Sequence, residues 1–468
     1  MRTLTRITAL TGLLLASACN TLDVPDLNYP GQDELATHPT RALVSAAATG
    51  LLFGSRVGYT TQNGYVSELG ILGRESYNFD PADPRFVTEL LTGPLDGGSG
   101  AFGGNLFAAP YADIRSGNNL LRALPNLAST AMTPAEIEAV TGYVQTIQAL
   151  DFLQVVNTRD DLGAPIVVDI DPIAAPAPIA TRAEVFAHIV NLLDSAQTHL
   201  QAGGSAFPFP LTSGFSGFDK PATFLTFNRA LRARVAVYTG DFAGALTALQ
   251  ASFIDPAAPL NLGTYFVFST IAGDRVNNLF DASAHDATPP RALLAHPSIL
   301  TDAQQQPGGA LDQRVLDKTQ VFSPPKTVQG ITDSVKFTIY TSNLSPVPII
   351  RNEELILLRA EANIGLNNLA TAVTDIDFIR ATAGGLAPYA GTVDQASLLG
   401  ELLYNKRYSL LFEGGHRWID ARRYGRLGTL PRDLSSHVVF SRFPFPRNDC
   451  LARNPTPALG CDPEPGTP

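Results

Sequence analysis

Apolar residues recur every three or four positions over several long segments, a spacing that predicts amphipathic helices. Residues 133–136 (Thr-Pro-Ala-Glu) have the form of a capping box with proline at the first helical position. Residues 181–184 (Thr-Arg-Ala-Glu) and 392–395 (Thr-Val-Asp-Gln) repeat that form, so a helix is predicted to start at each. Strand-like alternation is confined to short stretches such as 166–170 and 335–340. The chain is therefore predicted to be mainly α-helical.

An internal echo refines this prediction. Residues 231–233 and 358–360 both read Leu-Arg-Ala, and the same offset aligns small and apolar positions further along. In both copies a short polar turn separates the first helix from a second that starts with small residues. This layout is typical of tetratricopeptide-like helical hairpins, in which small residues let paired helices approach closely. Such a scaffold favours an interaction surface over a reaction.

Three segments rich in glycine, proline and aromatic residues interrupt the helical pattern, at 54–110, 201–221 and 254–348. They are longer than ordinary connections between helices. We expect them to be irregular insertions that form a loop-rich, variable lobe.

Composition narrows the function classes. The 468 residues include 33 basic and 43 acidic side chains, a net charge of −10, which argues against binding to nucleic acid. After the N-terminus, no stretch approaches the roughly 18 apolar residues that a membrane-spanning helix needs.

The first residues have the features of an export signal. Residues 1–18 contain two arginines, an apolar run and small residues directly before Cys19, which resembles a bacterial lipoprotein signal. We expect a signal peptide over 1–18, lipid attachment at Cys19 and an extended tether over 19–33. An ordinary secretory signal followed by a chance cysteine is the alternative.

The search for catalytic and metal chemistry is mostly negative. Cys450 and Cys461 are expected to form a disulfide, because two thiols in an exported protein make a poor zinc site. The match to GxGxxG at 98–103 lacks a preceding strand, and His285 and His296 form only a loose cluster with nearby aspartates. We predict no catalytic residue, no metal site and no cofactor, and leave structural calcium open.

The C-terminal third contains the most specific motifs. Residues 352–362 include Leu-Leu-Arg-Ala-Glu-Ala, residues 406–425 read KRYSLLFEGGHRWIDARRYG, and residues 443–446 read Phe-Pro-Phe-Pro. Together with residues 148–167, these motifs resemble the SusD/RagB family of outer-membrane lipoproteins in type and order. The resemblance implies one α-helical domain of tetratricopeptide-like hairpins over 34–468.

The charged residues of these motifs are interpreted as scaffold. Glu413, Arg417, Asp420 and Arg422 are spaced to form ion pairs around a turn at 414–415, where glycine permits a positive φ. Trp418 is expected to pack this corner into the core. The full set comprises Arg359, Glu361, Glu413, Arg417, Trp418, Asp420 and Arg422.

The resemblance also implies a function. Proteins of this family bind nutrients, commonly oligosaccharides and sometimes peptides, at the cell surface and deliver them to a TonB-dependent outer-membrane transporter. Sugar sites use aromatic faces beside polar groups, and the candidates lie in the first glycine-rich segment. They are Tyr59, Asn63, Tyr65, Arg74, Tyr77 and Phe79. Alternatively these aromatic rings fill the core of the segment, or Arg74 and Glu75 serve a carboxylated or peptidic ligand.

Two other functions remain open. One is a structural lipoprotein whose helical surface only docks other proteins. The other is a lipid-anchored hydrolase with an acid pair or a metal among its loops. An exposed cluster of tyrosine, asparagine and arginine in a pocket would favour ligand capture over both.

Overall fold

The computed structural model describes residues 32–98, 104–168, 175–282, 292–453 and 460–467. The predicted signal peptide, Cys19, His285 and the GxGxxG match beyond residue 98 lie outside these ranges. The α-helices are α1 Gln32–Thr37, α2 Arg41–Val57, α3 Tyr65–Leu72, α4 Arg85–Thr88, α5 Asn105–Ala123, α6 Pro134–Arg159, α7 Arg182–Ala202, α8 Pro221–Thr239, α9 Phe242–Gln250, α10 Ser298–Thr301, α11 Gln313–Lys318, α12 Asn352–Gly365, α13 Leu369–Thr382, α14 Gln395–Ser409, α15 His416–Arg423 and α16 Arg447–Ala452. The strands are β1 Ser76–Asn78, β2 Ala164–Pro165, β3 Ile179–Ala180, β4 Gly263–Phe266, β5 Leu293–Ala295, β6 Thr319–Val328, β7 Ile331–Phe337 and β8 Val347–Arg351.

Local capping sets where the long helices start. Thr133 and Thr181 both form complete capping boxes, so the first two predicted starts are confirmed. The third is wrong in detail, because Asp394 rather than Thr392 caps α14 and accepts a hydrogen bond from the Ser397 amide at 2.8 Å. An aspartate at the N-cap satisfies a free amide and also suits the helix dipole.

The internal echo corresponds to two helical hairpins, α8–α9 and α12–α13, and α9 packs against α12. The aligned small residues lie where the helices meet: Ala233, Ala245, Ala360 and Ala372 are all fully buried. The predicted mainly helical fold of tetratricopeptide-like hairpins is confirmed.

The strands form four two-stranded antiparallel pairs, β1–β5, β2–β3, β4–β8 and β6–β7. The predicted strand at 335–340 overlaps β7, which ends at Phe337. Of the one predicted at 166–170, the described residues 166–168 form no strand, and the pairing just before them involves residues 164 and 165. Two pairs join segments that are distant in sequence: β1–β5 links the first predicted insertion to the third, and β4–β8 brings the start and the end of the third together.

A disulfide joins Cys450 and Cys461 near the C-terminus, as predicted. Within the described ranges, every helix is too short or too polar to cross a membrane.

Candidate functional site

The predicted ligand platform is buried. Tyr59, Tyr65, Arg74, Tyr77 and Phe79 are each 6% exposed or less, and only Asn63 is partly open to solvent. The prediction that these five side chains form a ligand platform is therefore wrong. The alternative, that the aromatic rings fill the core of this segment, agrees with the structure.

Hydrogen bonds fix these rings inside the protein. Tyr59 stacks on Tyr65 with ring centroids 5.1 Å apart and donates to the carbonyl oxygen of Glu413 at 3.0 Å. The Tyr65 hydroxyl accepts from the side-chain amide of Asn157 at 2.9 Å. Burial raises the pKa of Tyr65 to about 12. These contacts hold both rings inside the scaffold, where Tyr59 is 6% and Tyr65 4% exposed, so neither presents a face to a sugar.

Arg74 and Tyr77 also connect parts of the scaffold. Arg74 donates to the carbonyl oxygens of Pro431 and Val438 at 3.0 and 2.7 Å, while Tyr77 donates to the Asp433 carboxylate. Glu75 is fully buried, and burial raises its pKa to about 8. Arg74 and Glu75 are therefore both enclosed, and neither faces a carboxylated or peptidic ligand.

The motif residues also lie in the interior, but their partners differ from those predicted. Glu413 pairs with Arg351 at 2.8 Å, and Asp420 pairs with Lys406 at 2.6 Å. Arg422 lies 3.4 Å from Asp160. The predicted ion pairs among Glu413, Arg417, Asp420 and Arg422 are therefore wrong. Within residues 406–425, Asp420 pairs instead with Lys406 and, at 2.8 Å, with Arg423. Glu413 and Arg422 contact residues of other elements.

Further contacts complete the scaffold. The Glu361 carboxylate lies 2.8 Å from the Lys406 ammonium group, so Lys406 contacts both Glu361 and Asp420. Arg359 pairs with Asp375 at 2.6 Å, and Arg417 donates to the Arg74 carbonyl oxygen at 2.5 Å. These contacts hold the hairpins, α15 and the first insertion together.

The corner itself is built as predicted. Gly415 has a φ of 67°, in the left-handed region where glycine is favoured, and α15 begins directly after it. Trp418 is fully buried and donates its indole N–H to the Phe440 carbonyl oxygen at 2.8 Å.

A different surface region combines aromatic and polar side chains. We call it the aromatic cleft: a cavity of about 570 Å³ between α2, the turn at 212–215 and the segment 265–274. Thr49, Phe53 and Arg56 face it from α2, at a spacing that places them on one side of a helix. The half-buried Phe53 ring is open to the cavity edge. A volume of this size suits a small organic ligand.

The second wall depends on a strand and a glycine. Alternation along β4 points Phe266 inward, where it is 3% exposed, and leaves Tyr265 half-buried at the cleft. A Cβ at Gly214 would lie 2.0 Å from the Tyr265 carbonyl oxygen, so only glycine allows the turn to approach β4 this closely. That approach brings Thr212 and Ser213 to the cleft beside the backbone of Tyr265.

An arginine anchors the cleft rim. The buried Arg56 guanidinium contacts the Asp274 carboxylate and the Val267 carbonyl oxygen, and its centre lies 5.1 Å from the Phe268 ring. Ser269 also donates to Asp274 at 2.7 Å. Although burial raises the pKa of Asp274, the hydrogen bonds from Ser269, the backbone and Arg56 outweigh it and lower the pKa. Asp274 is therefore ionised near neutral pH and ties the loop to α2.

Replacing Arg56 with methionine is expected to raise backbone amide exchange at 269–275 at least tenfold. The change removes the charged contacts to this loop, and exposed loops with few contacts open locally. Hydrogen–deuterium exchange by mass spectrometry measures the effect. Arg41→Met is the matched control, since Arg41 lies on the same helix, is exposed and pairs with Glu136 rather than with this loop. Equal protection in wild type and Arg56→Met would contradict the anchoring role.

The hydrolase alternative can be compared with a buried carboxyl pair near the cleft, of which Asp113 borders a neighbouring cavity. Asp113 and Asp151 are 5% and 0% exposed, and their carboxyls interact directly with each other. Paired carboxyls of glycosidases stand about 5–9.5 Å apart to flank a sugar bond. This pair leaves no such gap. Among the described residues, no group of three or more histidine, cysteine, aspartate or glutamate side chains is arranged to hold a metal ion.

Sequence reasoning missed the cleft because its parts are far apart in the chain. The turn at 212–215 and the segment 265–274 both lie in predicted insertions, but Phe53 precedes the first one. The available signal was the spacing of Thr49, Phe53 and Arg56, which places an aromatic ring and a cation on one helical face.

Comparisons with known sequences and structures find proteins that share this fold. Residues 308–451 match the model of the SusD family. A laminarin-binding SusD-like protein is 17% identical and superimposes with a TM-score of 0.65, over 88% of this chain and 98% of that one. A SusD-like carbohydrate-binding protein from Bacteroides fragilis is 14% identical with a TM-score of 0.64, over 85% and 88% of the two chains. A SusD superfamily protein from Bacteroides vulgatus is 15% identical with a TM-score of 0.63, over 83% and 89%.

A search of curated proteins finds no significant match. The resemblance predicted from the C-terminal motifs is nevertheless confirmed, since the family model covers those motifs and the solved structures share the fold. The chain therefore has the SusD family's sequence pattern over residues 308–451 and a SusD-like fold.

Proposed function

We propose that this protein binds an oligosaccharide in the aromatic cleft and does not transform it. The observation that carries the proposal is that the half-buried Phe53 and Tyr265 line one open cavity together with Phe268, the hydroxyl residues Thr49, Thr212 and Ser213, and the Arg56–Asp274 pair. Aromatic faces pack on the apolar C–H faces of sugars, and the polar groups bond sugar hydroxyls. Relatives of the same fold that are described as carbohydrate-binding support this assignment.

The cellular context is part of the proposal. A lipid at Cys19 would anchor the protein to the outer membrane, facing the cell exterior, and a TonB-dependent transporter would receive the ligand. The export signal and the family resemblance support both steps. A protein anchored by lipid needs no membrane-spanning helix.

Replacing Tyr265 with alanine is expected to weaken oligosaccharide binding at least tenfold, about 1.4 kcal/mol, because the ring face is lost. The measurement is calorimetric titration with a glycan panel that includes laminarin. Tyr389→Ala is the matched control: Tyr389 is also half-buried and donates its hydroxyl to a nearby carbonyl oxygen, that of Thr392, at 3.0 Å. Equal binding by both variants would move the site elsewhere. Binding to no glycan would favour the protein-docking alternative.

The transporter partnership predicts a physical complex. Native full-length protein, purified through an affinity tag in mild detergent, is expected to bring down a TonB-dependent barrel in stoichiometric amount. A Cys19→Ala variant, which lacks the lipid site, is the control for membrane localisation. Recovery of the wild type without any such barrel contradicts the partnership.

A further inference from the structure

A second cavity adjoins the aromatic cleft along α2. This apolar groove has a volume of about 480 Å³ and lies between α1, α2 and α5. Leu35 of α1, Leu43, Ala47 and Val57 of α2, and Ala109 of α5 form its walls. Its lining is therefore mostly aliphatic, in contrast to the mixed aromatic and polar lining of the cleft.

The two cavities meet at one side chain. Phe53 lines both of them. Thr49 and Arg56 border the cleft, whereas Gly50 and Val57, one residue further along α2, border the groove. Residues 49–57 of α2, which border the two cavities, span about 12 Å at 1.5 Å per residue. A ligand in the cleft that extends past the Phe53 ring reaches the groove.

The groove offers few polar side chains. Asp113 is 5% exposed, and burial together with the neighbouring Asp151 raises its pKa well above the usual value, which favours its neutral form. The other polar lining residues, Ser116 and Asn119, carry no charge. A mostly aliphatic cavity favours an alkyl or aryl group over a phosphate or a charged peptide.

We propose that the ligand is an amphiphilic glycoside, whose sugar occupies the aromatic cleft and whose alkyl or aryl aglycone occupies the apolar groove. This inference rests on the proposed function, because it takes the cleft as the sugar site. Burial of the aglycone supplies affinity in proportion to the apolar area removed from water.

The test compares two glucosides that differ only in the aglycone. Octyl β-glucoside, kept below its micelle concentration, is expected to bind the full chain at least tenfold more tightly than methyl β-glucoside in calorimetric titration. Gly50→Leu is expected to reduce this preference to less than about twofold. A Cβ at Gly50 meets no atom within 4 Å and leucine favours a helix, so the variant should fold with the groove filled. Ala42→Leu adds the same side chain at an exposed position of α2 outside the groove and should retain the preference.

Each outcome separates this inference from the function on which it rests. Equal affinity for the two glucosides, or an octyl preference that survives Gly50→Leu, overturns the aglycone site, while Tyr265-dependent binding of free oligosaccharide still supports the cleft. A preference for the octyl compound without any binding of free glycans overturns the proposed function and, with it, the amphiphilic ligand. Dimerisation that Gly50→Leu abolishes would assign the groove to a second copy of the chain instead.

Discussion

Replacing Lys406 with methionine is expected to lower the free energy of unfolding by about 3–5 kcal/mol. The Lys406 ammonium group is 2% exposed and lies 2.8 Å from Glu361 and 2.6 Å from Asp420. Methionine has a similar length but no charge. The variant would leave two buried carboxylates with Arg423 as their remaining cation, and an uncompensated buried charge is costly.

Urea denaturation at neutral pH measures this loss. Arg41→Met is the matched control, because the side chains of the Arg41–Glu136 pair are 47% and 23% exposed and such surface pairs contribute about 1 kcal/mol or less. Adding Glu361→Gln to Lys406→Met should restore part of the stability. A loss below 1 kcal/mol for Lys406→Met would contradict the role of this cluster.

Acidification provides a second measurement of the same cluster. Burial raises the pKa of Glu361, but the charges of Lys406 and Arg423 outweigh it and lower the pKa from 4.5 to about 2. A carboxyl whose folded-state pKa is depressed stabilises the protein above its unfolded pKa, and this stability is lost as pH falls toward the folded value. The stability difference between wild type and Lys406→Met should therefore narrow from pH 5 toward pH 3.

Local signals explain which parts of the fold could be predicted. The boxes at Thr133 and Thr181 depend only on residues three positions apart, so their helix starts followed from the sequence. At 392–395 two candidate caps compete within three residues, and the sequence pattern did not distinguish Thr392 from Asp394. The hairpins were predictable because small residues recur at the same offset in both copies.

The predicted site failed because burial depends on contacts distant in sequence. Every residue of the helix at 65–72 is buried, and Tyr77 lies in β1, where it is paired with Leu294 of β5. A run of glycine and aromatic residues does not reveal such contacts with distant parts of the chain. The same limit hid the aromatic cleft, whose Phe53 and Tyr265 are over two hundred positions apart.

Trp418 is the residue for which a binding role and a scaffold role make the most different predictions. Trp418→Ala is expected to lower the free energy of unfolding by about 3–5 kcal/mol, because it empties a fully buried volume. The indole lies edge-on to Phe443, with ring centroids 6.1 Å apart, and 4.6 Å from the Arg422 guanidinium. The large ring therefore packs α15 against the C-terminal segment.

Trp418→Phe separates packing from hydrogen bonding. It retains an aromatic ring but leaves the Phe440 carbonyl oxygen without its donor, so a smaller loss of about 1–3 kcal/mol is expected. Urea denaturation gives both values, and glycan titration of the folded variants gives the second readout. Because Trp418 lies outside the aromatic cleft, oligosaccharide affinity should stay within about twofold of wild type. A tenfold loss of affinity with unchanged stability would instead place the tryptophan in the ligand site.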